Sequence, residues 1–135
     1  ILGLIRQRFD GVPHYLCEAK AEPGNHGLVQ ISPTLQATFA NINQKHGGRK
    51  PHFVDIFLNT NKYKNWQVLY EAWLSEDGGR LYNKRNKGVL LEAPEGTKIE
   101  IPNDNFIWLS LYQIKILLHE DSWINPHIRG ILAHV

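Results

Sequence analysis

An Asp10-Gly11 dipeptide stands between two runs rich in branched and aromatic residues, Leu2 to Phe9 and Val12 to Ala21. Asp-Gly supplies both positive φ angles of a type I′ two-residue turn, whose twist matches that of paired antiparallel strands. The chain therefore opens with a β-hairpin. On the second arm Tyr15, Cys17, Ala19 and Ala21 point to one face, and His14, Leu16, Glu18 and Lys20 to the other. Cys17 reads as a small core residue rather than a nucleophile. It is the single cysteine of the chain, which excludes an intramolecular disulfide and a cysteine-based zinc cluster and fits a reducing, cytoplasmic setting.

At 135 residues the chain accommodates one domain, and its even composition shows no repeat, linker or low-complexity tract. Fifteen Lys and Arg are interspersed with thirteen Asp and Glu. That balance argues against a strongly basic nucleic-acid domain and an acidic disordered tail. No apolar run is long enough to span a bilayer, and ILGLIRQRF lacks the order of a signal peptide. Because Ile1 already lies in a strand pattern without an initiator Met, we expect a piece of a longer protein.

Further elements follow from breakers and periodicity. After Glu22-Pro23-Gly24-Asn25, Leu28 to Ile31 reads as a short strand that stops at Ser32-Pro33, where proline cannot donate to a ladder. Thr38 is placed to cap a helix through Lys45 that Gly47-Gly48 would close. Pro51 suits a first helical position, with Phe53, Ile56 and Phe57 on one face of a helix ending near Asn59, followed by a polar loop to Asn65. Trp66 to Leu74 and Val89 to Glu92 read as strands, Pro94-Glu95-Gly96 as a turn, and Lys98 to Ile101 as a short strand. Ser110 and Gln113 form a capping box for a helix to about Glu120. Asn125 and Pro126 then start a second helix carrying Ile128, Ile131, Leu132 and Val135. The sum is an α+β domain, a mixed β-sheet covered by helices.

The chemistry-bearing residues narrow the function. Neither a P-loop nor a G-x-G-x-x-G turn is present, so these phosphate cradles are excluded. The only adjacent acidic pairs are Glu76-Asp77 and Glu120-Asp121, a poor basis for magnesium-dependent phosphohydrolysis. His46 and His52 are six apart across glycines and a proline, which is no helical zinc pair. The segment from Ser75 to Asn86 concentrates Arg80, Lys84 and Arg85 with Tyr82 and two glycines. It suits a diphosphate, although a surface basic turn has the same composition. A neutral polar cluster, Gln30 to Thr38 with Asn41, suits hydroxyls and carbonyls; a capped turn would account for it equally well. Trp108 and Trp123 either stack on a base or fill core.

Four ordered segments carry a resemblance that spans nearly the whole chain: FDGVPHYLCEAKAEPGN at 9–25; ISPTLQAT at 31–38 with Asn41 and HGG at 46–48; SEDGGRLYNKRN at 75–86; and FIWLSLYQIKILLHEDSWIN at 106–125. Together they resemble the NDP-hexose 2,3-dehydratases of deoxysugar biosynthesis. The resemblance implies a Nudix-like fold, one module (1–135) of a two-module chain, and assembly as a homodimer. It implies a hydro-lyase that needs no metal or redox cofactor and acts on a nucleoside diphosphate 4-keto-6-deoxyhexose, dTDP being the usual nucleotide. On that reading Arg80, Lys84, Arg85 and Asn86 would face the diphosphate and Ser32, Thr34, Gln36 and Asn41 the sugar. Trp108 or Trp123 would stack on the base, and Tyr82, Glu76 and His46 are the acid–base candidates. Phe39 stands where the family has an arginine and Ile42 where it has a tyrosine, which leaves open a non-catalytic sugar-nucleotide-binding or dimerisation module.

Overall fold

The computed structural model describes residues 1–21, 29–38, 51–59, 62–75, 85–118, 128 and 131–132. The hairpin forms as expected: β1 (Leu2–Phe9) and β2 (Val12–Ala21) pair from Phe9↔Val12 to Ile5↔Leu16. Asp10 and Gly11 take φ of 50° and 79°, the left-handed pair that the dipeptide predicted. Beyond Ile5 and Leu16 the two strands part. There β3 (Val29–Ser32) takes over pairing with β2 through Glu18↔Ser32 and Lys20↔Gln30, while β4 (Leu35–Gln36) pairs with β1 through Leu2↔Gln36 and Gly3↔Leu35.

Thr34 sits in the fork. Its buried hydroxyl accepts the Ile5 N–H at 2.9 Å and donates to the Leu16 carbonyl at 2.5 Å, tying the two strands together where their own ladder ends. Buried backbone groups must be paired, and here a side chain does what a backbone neighbour would otherwise do.

The helix α1 (Val54–Leu58) follows, then β5 (Gln67–Ser75), β6 (Arg85–Ala93), β7 (Phe106–Ser110) and α2 (Leu111–Leu118). The sheet has seven strands in the path β3-β2-β1-β6-β5, with β4 on β1 and β7 on β2. Since β1 and β6 run parallel and the other pairs antiparallel, the sheet is mixed. Alternation along the strands builds an apolar cluster on each face. One gathers Ile5, Leu16, Leu35, Val89 and Leu91 beneath Val54 and Phe57 of α1. The other gathers Leu2, Leu4, Tyr15, Cys17 and Leu90 beneath Ile114 of α2, Ile128 and Ile131. Ile128, Ile131 and Leu132 are helical, in keeping with their spacing. The capping box holds: the Gln113 side chain accepts the Ser110 N–H and the Ser110 hydroxyl accepts the Gln113 N–H.

Several expectations are corrected. Pro51 does not begin a helix, because Phe53 takes a left-handed φ of 69° and sends its ring onto Phe106, 5.3 Å between centroids; the helix starts at Val54. Lys98 to Ile101 is exposed except for the half-buried Ile99 and, among the described residues, has no neighbouring strand to pair with and forms none. The strand expected at Val89 begins at Arg85, because Ser75↔Arg85 and Leu74↔Asn86 extend the β5–β6 ladder. Sequence reading missed β4 and β7: two residues after a proline and five before a capping box are too few to show a period. The helix from Thr38 to Lys45 and the start of the last helix at Asn125 and Pro126 lie outside the described residues.

Candidate functional site

The fork in the sheet makes a cleft. Where β1 and β2 separate, Thr34, Leu35 and Gln36, Glu18 and Lys20 of β2, and Pro51, His52 and Phe106 line it, around about 210 Å³. Whole-ligand pockets run to roughly 300–1,000 Å³, so this volume suits one part of a larger ligand.

The polar cluster at Gln30 to Thr38 divides by role. Thr34 is spent on the fold, its hydroxyl committed to Ile5 and Leu16. Gln36 lines the cleft directly. Ser32 pairs with Glu18 across the ladder, so both side chains leave the same face of the sheet. Its hydroxyl is fully buried and makes no hydrogen bond among the described residues. Such an orphan costs on the order of 1–3 kcal/mol.

Glu18 and Lys20 were not singled out from the sequence, and His52 was considered there only as half of a zinc pair and set aside. A signal was present: β2 places Leu16, Glu18 and Lys20 on one face, so that face turns from apolar to charged as the strand leaves the core. Lys20 Nζ lies 3.7 Å from Glu18 Oε2, a partly solvated pair that leaves both able to meet a polar ligand. The His52 ring stands edge-on to Phe106 at 6.1 Å and 88°. His52 and Pro51 also border a second, more apolar cavity of about 560 Å³, walled by Phe53, Ile56, Tyr63, Trp66 and Ile99.

The last two residues of the basic segment, Arg85 and Asn86, reach the same end of the sheet. Gln36, Leu2 and Gly88 form one row across β4, β1 and β6, and Arg85 and Asn86 begin β6 just before that row. With strands about 4.8 Å apart and about 3.3 Å per residue, the start of β6 lies within roughly 15–20 Å of Gln36. Trp108, by contrast, packs: it is half-buried on β7 against the core, with Phe9 edge-on at 5.0 Å. Glu76, Tyr82, His46, Asn41, Arg80, Lys84 and Trp123 lie outside the described residues, as do the side chains of Arg85 and Asn86.

Cys17 behaves as the hairpin pattern implied. It is fully buried, and burial pushes its thiol up to about 12, so it is no nucleophile. Among the described residues no group of three His, Cys, Asp or Glu could hold a metal ion, and no helix is long and apolar enough to cross a membrane.

Comparison with known proteins adds to this geometry. A sequence profile described as NDP-hexose 2,3-dehydratase matches residues 1–135. Two dTDP-4-dehydro-6-deoxy-alpha-D-glucopyranose 2,3-dehydratases, from Amycolatopsis orientalis and Saccharopolyspora spinosa, are 38% and 40% identical over 133 residues, 98% of this chain. A third, from Streptomyces violaceoruber, is 39% identical over 134 residues. The chain spans 26% to 29% of the length of these curated relatives. Among solved structures, the Ap4A hydrolase of C. elegans superposes on 98% of this chain and 91% of its own at 12% identity, with a TM-score of 0.48. Because the profile's match spans the hairpin, the fork and both polar segments from residue 1 to 135, the chain belongs to the NDP-hexose 2,3-dehydratase family.

Proposed function

We propose that the protein removes water across C2 and C3 of a nucleoside diphosphate 4-keto-6-deoxyhexose, with the hexose in the forked-sheet cleft. The observation that carries this reading is the convergence of Gln36, Glu18, Lys20 and His52 on that cleft, within a chain matched from end to end by the family profile. The named relatives act on a dTDP-linked 4-dehydro-6-deoxyglucose, which makes dTDP the nucleotide of choice.

The chemistry follows from the ketone. A C4 carbonyl acidifies the C3 proton, a base removes it, and the electron pair is held as an enolate. Expulsion of the C2 hydroxyl leaves an enol that tautomerises to a 3,4-diketo-2,6-dideoxy sugar. The site must supply a base at C3, donors to the C4 oxygen and an acid at C2. Gln36 and Lys20 are suited to donate to sugar oxygens. Arg80, Lys84, Arg85 and Asn86 hold the diphosphate in this reading, Glu76, Tyr82 and His46 are the acid–base candidates of the basic and glycine segments, and Asn41 and Trp123 complete the contacts. A homodimer of two-module, Nudix-like chains working in the cytoplasm is the assembly and setting proposed.

Incubating the protein with the dTDP-linked 4-keto-6-deoxyglucose in deuterated water tests the reading. The expected product has lost one water and carries solvent deuterium at C2. Substrate recovered intact would reject it. Nucleotide-sugar binding without water loss would favour the second reading, a non-catalytic binding module, for which Phe39 and Ile42 at the family's arginine and tyrosine positions speak.

A further inference from the structure

The elimination needs a base within reach of a sugar seated in the cleft, and the side chains that wall that cleft limit the choice. Among the described residues that line it, three titrate: Glu18, Lys20 and His52. Glu18 and Lys20 face one another as an ion pair on β2. The Glu18 carboxylate is directed toward Lys20, and an ammonium has no lone pair with which to take a proton. His52 has no ion-pair partner among the described residues.

Its position is fixed by the local fold. Pro51 precedes it, the left-handed Phe53 follows it, and the Phe53 and His52 rings both rest on Phe106, with centroids at 5.3 Å and 6.1 Å. The imidazole therefore stands on an aromatic support and lines the cleft together with Glu18 and Lys20. On its other side, in the larger cavity, the titratable groups are Asp55, Tyr63, Lys98 and Glu100. Asp55 accepts hydrogen bonds from Asn59 and Tyr63, which directs that carboxylate to its own helix and loop.

We propose that His52 is the base that takes the C3 proton of the sugar, an assignment that rests on the dehydratase reading of the same cleft. Neutral imidazole accepts the proton, and the C–H electron pair passes into the enolate of the C4 ketone. The C2–O bond then breaks, and the hydroxyl leaves as water after receiving a proton from the acid at C2. The exposed imidazolium exchanges its proton with solvent, and when the enol tautomerises it delivers a solvent-derived proton to C2 while the enol hydroxyl gives its own to the deprotonated acid. Both groups end as they began, and one water has been lost. A positioned imidazole contributes typically 10²–10⁴-fold to such a step.

The test uses the protein with its dTDP-linked 4-keto-6-deoxyglucose, comparing wild type with His52→Gln and His52→Asn. Because His52 is exposed, both variants are expected to fold, and titration with dTDP-glucose reports the integrity of the site. The expected result is a fall in kcat of about 100-fold or more, with dTDP-glucose affinity within threefold of wild type. A smaller fall, or one matched by an equal loss of dTDP-glucose affinity, overturns the assignment while leaving the dehydratase reading intact. A wild-type protein that removes no water fails both, and the wild-type control separates that failure from the failure of His52 alone.

Discussion

The Thr34 hydroxyl donates to the Leu16 carbonyl at 2.5 Å while accepting the Ile5 N–H, and this one side chain holds open the fork that becomes the cleft. Removing it strands two buried backbone groups. Thr34→Val keeps the shape and is expected to destabilise the protein by about 2–4 kcal/mol, with Thr34→Ser recovering most of the loss. Urea unfolding followed by circular dichroism measures both, and a midpoint for Thr34→Val equal to wild type would show that the tie contributes nothing.

Gly3 occupies the point where α1 rests on the sheet. A Cβ there would stand 2.6 Å from the Phe57 ring, and the fit leaves no room for it. Gly3→Ala is expected to cost about 1–3 kcal/mol, and Phe57→Leu in the same chain should return part of it. A double variant no more stable than Gly3→Ala would show that Phe57 is not what Gly3 accommodates.

Gln7 is a buried polar residue that pins the turn following β6, because its Nε2 donates to the carbonyls of both Pro94 and Thr97. Gln7→Leu leaves both carbonyls without their donor and should lower stability by about 1–3 kcal/mol. Hydrogen exchange provides the local signature. The Thr97 N–H, which donates to Pro94, should lose protection before the β1–β6 ladder does.

The Cys17 thiol gives a pH dependence of known sign. Burial raises it from about 9 to about 12, so the folded protein keeps a proton that the unfolded chain releases. Its contribution is complete below pH 9 and is lost as pH rises toward 12, at a slope of about 1.4 kcal/mol per unit. Cys17→Ala should show a shallower decline in urea midpoint over that range than wild type, with lysine and tyrosine titration common to both. Parallel declines would contradict the assignment.

Much of this architecture was legible because its signals are local. Asp10-Gly11 fixed the hairpin, Ser110 and Gln113 the start of α2, and the spacing of Ile128 and Ile131 a buried helical face. The fork was not legible, because Thr34 is read from the sequence as one more hydroxyl beside a proline, and only long-range pairing with Ile5 and Leu16 turns it into a structural tie. The same limit applied to the cleft. Ser32 and Gln36 stood out as polar neighbours, but Glu18, Lys20 and His52 come from 12 or more residues away and meet them only after β2 and β3 pair and the Pro51 turn folds back. Trp108 was ambiguous for the opposite reason: its chemistry allows stacking on a base, and its strand position decides for packing.

The most direct test of where the hexose sits is calorimetric titration of the protein with dTDP-glucose, with dTDP and free glucose as controls, repeated on Gln36→Ala and Glu18→Gln. Wild type is expected to bind dTDP-glucose more tightly than dTDP, and the cleft variants to erase this difference while still binding dTDP. An advantage for the sugar that survives both substitutions, or no advantage in wild type, would mean that the hexose does not occupy the forked-sheet cleft.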